Sequence, residues 1–228
     1  AKGALEQART DAQQAKDALT DGRVQEAQRF ADSAQLHAQT ANDSTHTVPW
    51  NIAAAVPWLG SPFETGQQIS GVVLGLARDV LKPSAQIGVA ISPDRLFEGS
   101  RLNVRLLREN EPALSRISED ARRLESEAGA IAEPAYLAVL GKARTEVQAQ
   151  TAKITSLLEN TALAARLAPS MMGADGPRTY FMGFQTIAEA RGTGGILGGI
   201  GILHLDDGAP TGEALGTNTA CKDPFAPP

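Results

Sequence analysis

Between residues 4 and 18, and again between 27 and 41, alanine returns every three or four positions, and this spacing constrains the fold more than any other feature of the chain. Ala4, Leu5, Ala8, Ala12, Ala15 and Leu19 fall on one face of a helix, with Glu6, Arg9, Asp11, Gln14 and Asp17 off it. Asp21-Gly22 ends that helix, because glycine accepts a left-handed backbone at low cost. A second helix presents Val24, Ala27, Phe30 or Ala31, Ala34, Ala38 and Ala41. A turn this tight forces the two to run antiparallel, and the small side chains let the backbones come close. No second copy of the hairpin follows at the same period, so a solenoid is excluded and a two-helix stalk or bundle arm remains.

Composition agrees with helices. Hydrophobic residues are 42% of the 228 but aromatics only 4%, which suits close-packed Ala, Leu, Ile and Val rather than a sheet sandwich. A net charge of -5 argues against a nucleic-acid binder, which needs a concentrated basic face. No apolar run reaches the ~18 residues of a membrane span. With Ala1 first and no signal peptide after it, the expectation is an excised piece or a mature product. The single cysteine, Cys221, excludes a disulfide framework and a Cys-ligated zinc site; it fits a cytosolic thiol or pairing with an outside partner equally well.

Beyond the hairpin (1–43), a connector (44–63) carries Pro49, Pro57 and Pro62 with Trp50 and Trp58 between them and a short apolar helix near 52–56. The indoles suit either a membrane interface or the plugged end of a bundle. The lack of Lys or Arg from Ser44 to Gln68 favours the plug. A helical bundle is expected over 64–170. Its first helix runs from about Glu64 to Leu81 with Pro83 just past the end, and Ile87, Val89 and Ile91 alternate briefly after it. A long helix spans Leu102 to Glu127, with Pro112 kinking it or marking a join, and a last one Pro134 to Leu167.

A Gly-rich, strand-bearing region (171–208) comes next, with strand-like runs at Thr179–Phe184 and Ile196–Leu205, and then an irregular tail (209–228). The fold class is therefore mainly α: a long-helix bundle with an N-terminal hairpin, leading into a two-strand start of an α+β domain. The glycines at 192–195 and 198–201 match neither a Walker loop, lacking Gly-Lys-Ser/Thr, nor a dinucleotide fingerprint, whose third glycine is replaced. Backbone in tight conformations explains them better. Arg178, Glu189 and Arg191 lie beside apolar strand residues. Either Glu189 pairs with an arginine to hold the sheet edge, or the two guanidinium groups clamp a phosphate or carboxylate. His37, His46 and His204 share no metal-ligand spacing, so no metal or other cofactor is expected.

The runs Gly173-Ala-Asp-Gly-Pro-Arg-Thr-Tyr-Phe181, Phe184-Gln185 and Ala188-Glu-Ala-Arg-Gly-Thr-Gly-Gly195 resemble the signature of the bacterial domain-of-unknown-function 4012 family, common in actinobacteria. The Ala-rich hairpin, Val56-Pro-Trp-Leu-Gly60 and the long helices fit the same family; Thr186 stands where it usually has Asn. The resemblance implies an extracytoplasmic portion of a membrane-anchored envelope protein, its anchor outside this chain. Arg178, Gln185, Glu189, Arg191 and Thr193 are its ligand-binding candidates. Partners would be an envelope glycan, a lipid-linked phosphate or other envelope proteins. The downstream half of the family is faintly similar to LytR–CpsA–Psr proteins. That likeness implies an alternative, a phosphotransferase using a divalent metal and polyprenyl-pyrophosphate-linked glycan, with Arg178 and Arg191 on the pyrophosphate. The leading expectation is a non-catalytic helical module serving as spacer, assembly or ligand-binding part.

Overall fold

The computed structural model describes residues 2–48, 50, 51, 55, 60–186 and 196–217. In chain order its elements are α1 (Lys2–Thr20), α2 (Val24–Thr45), α3 (Gly60–Gly75), a π-helical turn (Leu76–Leu81), α4 (Lys82–Ala90), α5 (Pro93–Leu96), β1 (Phe97–Glu98), β2 (Arg101–Leu102), α6 (Val104–Gly129), α7 (Ala138–Met171), β3 (Arg178–Thr186), β4 (Ile196–Asp206) and β5 (Ala209–Thr217). The fold is mainly helical, with the expected N-terminal hairpin and a small antiparallel sheet late in the chain. Contacts divide the chain into two compact units, 1–93 with 109–166 and 94–108 with 167–228.

In the first unit α1 and α2 meet along alanine. Ala8, Ala15 and Ala18 face Ala27, Ala31, Ala34, Ala38 and Ala41, all buried. Each methyl contributes only about 0.8 kcal/mol, so close backbone approach rather than bulk holds the seam. α1 ends as its sequence requires. Gly22 takes φ 72, its N–H bonds to Leu19 O, and the Arg23 N–H reaches back to Ala18 O. These are the two bonds of a Schellman cap.

The seam is rotated from the expected face, with Asp11 and Ala18 buried where Ala12 and Leu19 were expected. Its buried line is Ala8, Asp11, Ala15, Ala18, so Asp11 lies inside and Ala12 only half-buried. The aspartate is tolerated because His37 Nδ1 of α2 lies 2.7 Å from its Oδ2. Buried carboxylates need such a partner.

The third rod runs further than expected. Helix continues through Pro83 to Ala90, by way of the π-helical turn. There the Lys82 N–H bonds to Ala77 O, five residues back. A proline cannot donate to the carbonyl four residues earlier and clashes with it, and a widened turn just ahead absorbs both problems. Ile87 and Val89 therefore belong to α4, and their brief alternation is not a strand.

Two larger apolar clusters lie between this rod and the long helices. Ile69 and Val72 pack with Ala128 and Ile131, and Val80 with Ile117, Ala121 and Leu124. Leu124 projects onto Gly75, where an added Cβ would overlap its Cδ2. α6 passes through Pro112 without interruption. α7 starts at Ala138 rather than Pro134, because Leu137 is left-handed at φ 67. Polar groups tie the rods at their margins. Arg9 meets Glu146 at 3.1 Å, Lys82 meets Asp32 at 3.0 Å, and Arg122 meets Glu159 at 2.7 Å. Arg123 bonds Asp79, Asp120 and Glu127. Arg123 is held well above the usual guanidinium range, first by Asp120 and then by Glu127. Asp79 is held below the usual carboxylate range, first by its hydrogen bond from Arg78.

Trp50 is half-buried against Phe63 of α3. Its Nε1–H donates to Phe63 O at 3.1 Å, and the rings meet edge to face at 5.1 Å. Trp58 and residues 52–54 and 56 lie outside the described residues. Among the described residues no helix is long and apolar enough to cross a membrane.

In the second unit the sheet has three strands in the order β3-β4-β5, antiparallel throughout. The tail expected to be irregular from 209 instead begins with β5. Asp207 and Gly208, at φ 44 and 82, form the two-residue turn between β4 and β5, with Asp206 opposite Ala209. Asp-Gly in this mirror-image turn matches the strand twist. Pro210 and Gly212 make β5 a poor strand by propensity, but it is an edge strand, where a missing N–H is tolerated.

Candidate functional site

The Gly173–Phe181 run occupies the junction where α7 ends and the sheet begins. The last turn of any helix leaves carbonyls without partners. Here each finds one. Ala174 N–H bonds to Pro169 O at 2.9 Å and Gly173 N–H to Ser170 O at 3.3 Å, a second Schellman cap with Gly173 at φ 82. The Tyr180 hydroxyl donates to Met171 O at 2.8 Å, and the Gly208 N–H to Met172 O at 2.8 Å. The Asp207 N–H donates to Gly173 O at 3.2 Å.

This bonding brings the helix end against the β4–β5 turn so closely that only glycine fits. A Cβ on Gly173 would overlap the carbonyl of Leu205, and one on Gly208 that of Leu102. β2 closes on the same turn: Leu102 N–H donates to Gly208 O at 2.9 Å, and Arg101 bonds both the Asp207 carbonyl, at 2.9 Å, and its carboxylate. Arg108 reaches Asp175 at 2.6 Å.

Arg178 opens β3 opposite Leu205, and its guanidinium turns back to the helix. Its Nε lies 3.3 Å from Ser170 O and a terminal nitrogen 3.4 Å from Ser170 Oγ. A cation at a helix C-terminus also meets the negative end of the macrodipole. Gln185 sits past a bulge between Phe184 and Gln185, near the other end of the strand. At about 3.3 Å per residue the seven steps from Arg178 to Gln185 cover roughly 23 Å. The two do not converge on one small ligand. Glu189, Arg191 and Thr193 lie outside the described residues, so the arginine clamp and the Glu189 pairing concern positions not described.

Sequence reasoning missed Arg101, Arg108 and Asp175 as partners, since they join segments 67 to 106 positions apart. The Asp207-Gly208 hairpin was the one local signal that could have led to the joint. On the open face of the sheet Thr179 Oγ1 and His204 Nδ1 pair across strands at 3.0 Å beside Phe181, 67% exposed. His37 and His46 are engaged within the first unit, with Asp11 and with Asn42 O. Among the described residues no group of three or more His, Cys, Asp or Glu could hold a metal ion.

No curated protein and no solved structure matches the chain. Residues 175–227, from the Asp175 of this joint onward, match the model of DUF4012, a family described as proteins of unknown function.

Proposed function

We propose that this chain is a non-catalytic helical module of a membrane-anchored cell-envelope protein, standing outside the cytoplasm as a spacer or assembly part. One observation carries the reading. The polar groups of the signature run, the Gly173 and Ala174 amides, Asp175, Arg178 and the Tyr180 hydroxyl, all bond to the protein itself and, within the second unit, join the last turn of α7 to the sheet. The alanine seam and the cross-rod ion pairs fit the same role, since both hold neighbouring helices of the first unit side by side. The extracytoplasmic setting and the anchor rest on the family resemblance.

The test is thermal melting of the chain with magnesium and a soluble polyprenyl pyrophosphate, farnesyl pyrophosphate. The spacer reading predicts no shift in Tm up to millimolar ligand. A saturable rise that Arg178→Ala abolishes, with helical circular dichroism retained, would overturn it and favour the glycopolymer phosphotransferase. The setting is tested separately, on intact cells expressing the tagged full-length gene product. External protease should cleave the tag; cleavage only after lysis contradicts the envelope location.

A further inference from the structure

The third rod of the first unit carries one residue more than its neighbours need. Along α1 and α2 the seam repeats every seven residues, from Ala8 to Ala15 and from Ala38 back to Ala31. Ala77 packs with Ala8 and Ala38, and Ala85 packs with Ala15 and Ala31. The corresponding step on the third rod, 77 to 85, is eight. Its outer face tells the same story. Glu64, Gly71 and Arg78 are exposed at steps of seven, but the next step lands on Ala85, which is 1% exposed, while Gln86 is open. In an unbroken α-helix one surplus residue rotates everything beyond it by about 100°. Ala85 would then turn away from the hairpin.

The π-helical turn lies where the surplus falls, between Arg78 and Ala85, and Lys82 N–H reaches back to Ala77 O over five residues instead of four. We propose that this turn is a conformational device that takes up one residue and keeps the two halves of the rod in phase with the hairpin. Pro83 fixes its place, because the widened turn must precede the ring. The device predicts an unusual tolerance: removing one residue here converts the π-turn to α-helix and leaves both seams in place.

The experiment compares single-residue deletions in the full 228-residue chain. Deleting Arg78, an exposed member of the turn, should leave helical circular dichroism intact and Tm within about 4 °C of the parent. Deleting Leu36, exposed on α2 where no π-turn can compensate, rotates Ala38 and Ala41 out of the seam. It should lower Tm by more than about 10 °C or abolish the transition. A second readout follows phase directly. In a Cys221→Ser background, Ala15→Cys should crosslink to Ala85→Cys with and without Arg78. The proposal is wrong if deleting Arg78 costs as much as deleting Leu36, or if the crosslink is lost on the deletion.

Discussion

Gly173 is where the helix-to-sheet joint is most exposed to a single atom. Replacing it with alanine has two costs. At φ 82 a Cβ pays the left-handed penalty, about 1 kcal/mol. The same Cβ overlaps the Leu205 carbonyl, which is backbone inside the β3–β4–β5 ladder and cannot swing aside as a side-chain tip would. Overpacking of this kind costs about 1–3 kcal/mol. The sum is about 2–4 kcal/mol, equivalent to roughly 5–15 °C in Tm for a chain of this size. Gly176→Ala separates the terms, since it also carries positive φ, 132, but has no heavy atom within 4 Å of the added methyl. Urea melts followed by far-ultraviolet circular dichroism, with amide exchange on β4, read both variants. Equal small losses at 173 and 176 would refute the close-approach argument.

Three further perturbations bear on the first unit. Gly75→Ala drives its methyl into Leu124, which is buried and has no room to swing aside, and after the helix-propensity gain should cost about 1–2 kcal/mol in a urea melt. Combining it with Leu124→Ala should cost less than the two single losses added. His37→Ala leaves the Asp11 carboxylate buried without its partner and should cost about 2 kcal/mol, largely recovered by adding Asp11→Ala. An additive double mutant would show that the pair is not coupled. Asp79 has a lower pKa folded than unfolded, so its contribution is complete above the unfolded carboxyl value and is lost as pH falls through the folded one. Stability should therefore decline on acidification below about pH 4. Asp79→Asn should remove about 1 kcal/mol at neutral pH and flatten that acid limb; an unchanged limb in titrated urea melts would count against the assignment.

How far the sequence could be read depended on the range of the interactions. The hairpin was legible because Ala8, Ala15, Ala31 and Ala38 repeat locally and Gly22 terminates locally. Asp11 was placed outside the seam because a charged residue is normally solvent-facing; only a histidine 26 positions away makes its burial tenable. Pro83 reads as a stop, since a π-turn has no local signature apart from the proline it accommodates. β5 went unread because Pro210, Gly212 and Gly216 carry almost no strand propensity; its register is imposed by β4 and the Asp207-Gly208 turn. At the joint the motif itself was visible, but its partners Arg101, Arg108 and Gly208 come from distant segments. Arg178, expected to pair with Glu189 or to clamp an anion with Arg191, bonds Ser170 at the end of α7, while Glu189 and Arg191 lie outside the described residues.

The measurement that goes most directly to the joint is residue-resolved amide exchange at Ala174, Asp207 and Gly208. If the signature run locks helix to sheet, these three amides are protected together, although two of them sit in a hairpin turn, and Tyr180→Phe or Arg178→Ala speeds all three in concert. Free exchange at Asp207 and Gly208 in the parent, beside slow exchange along β4, would show that the turn hangs clear of the helix and that the run has other work to do.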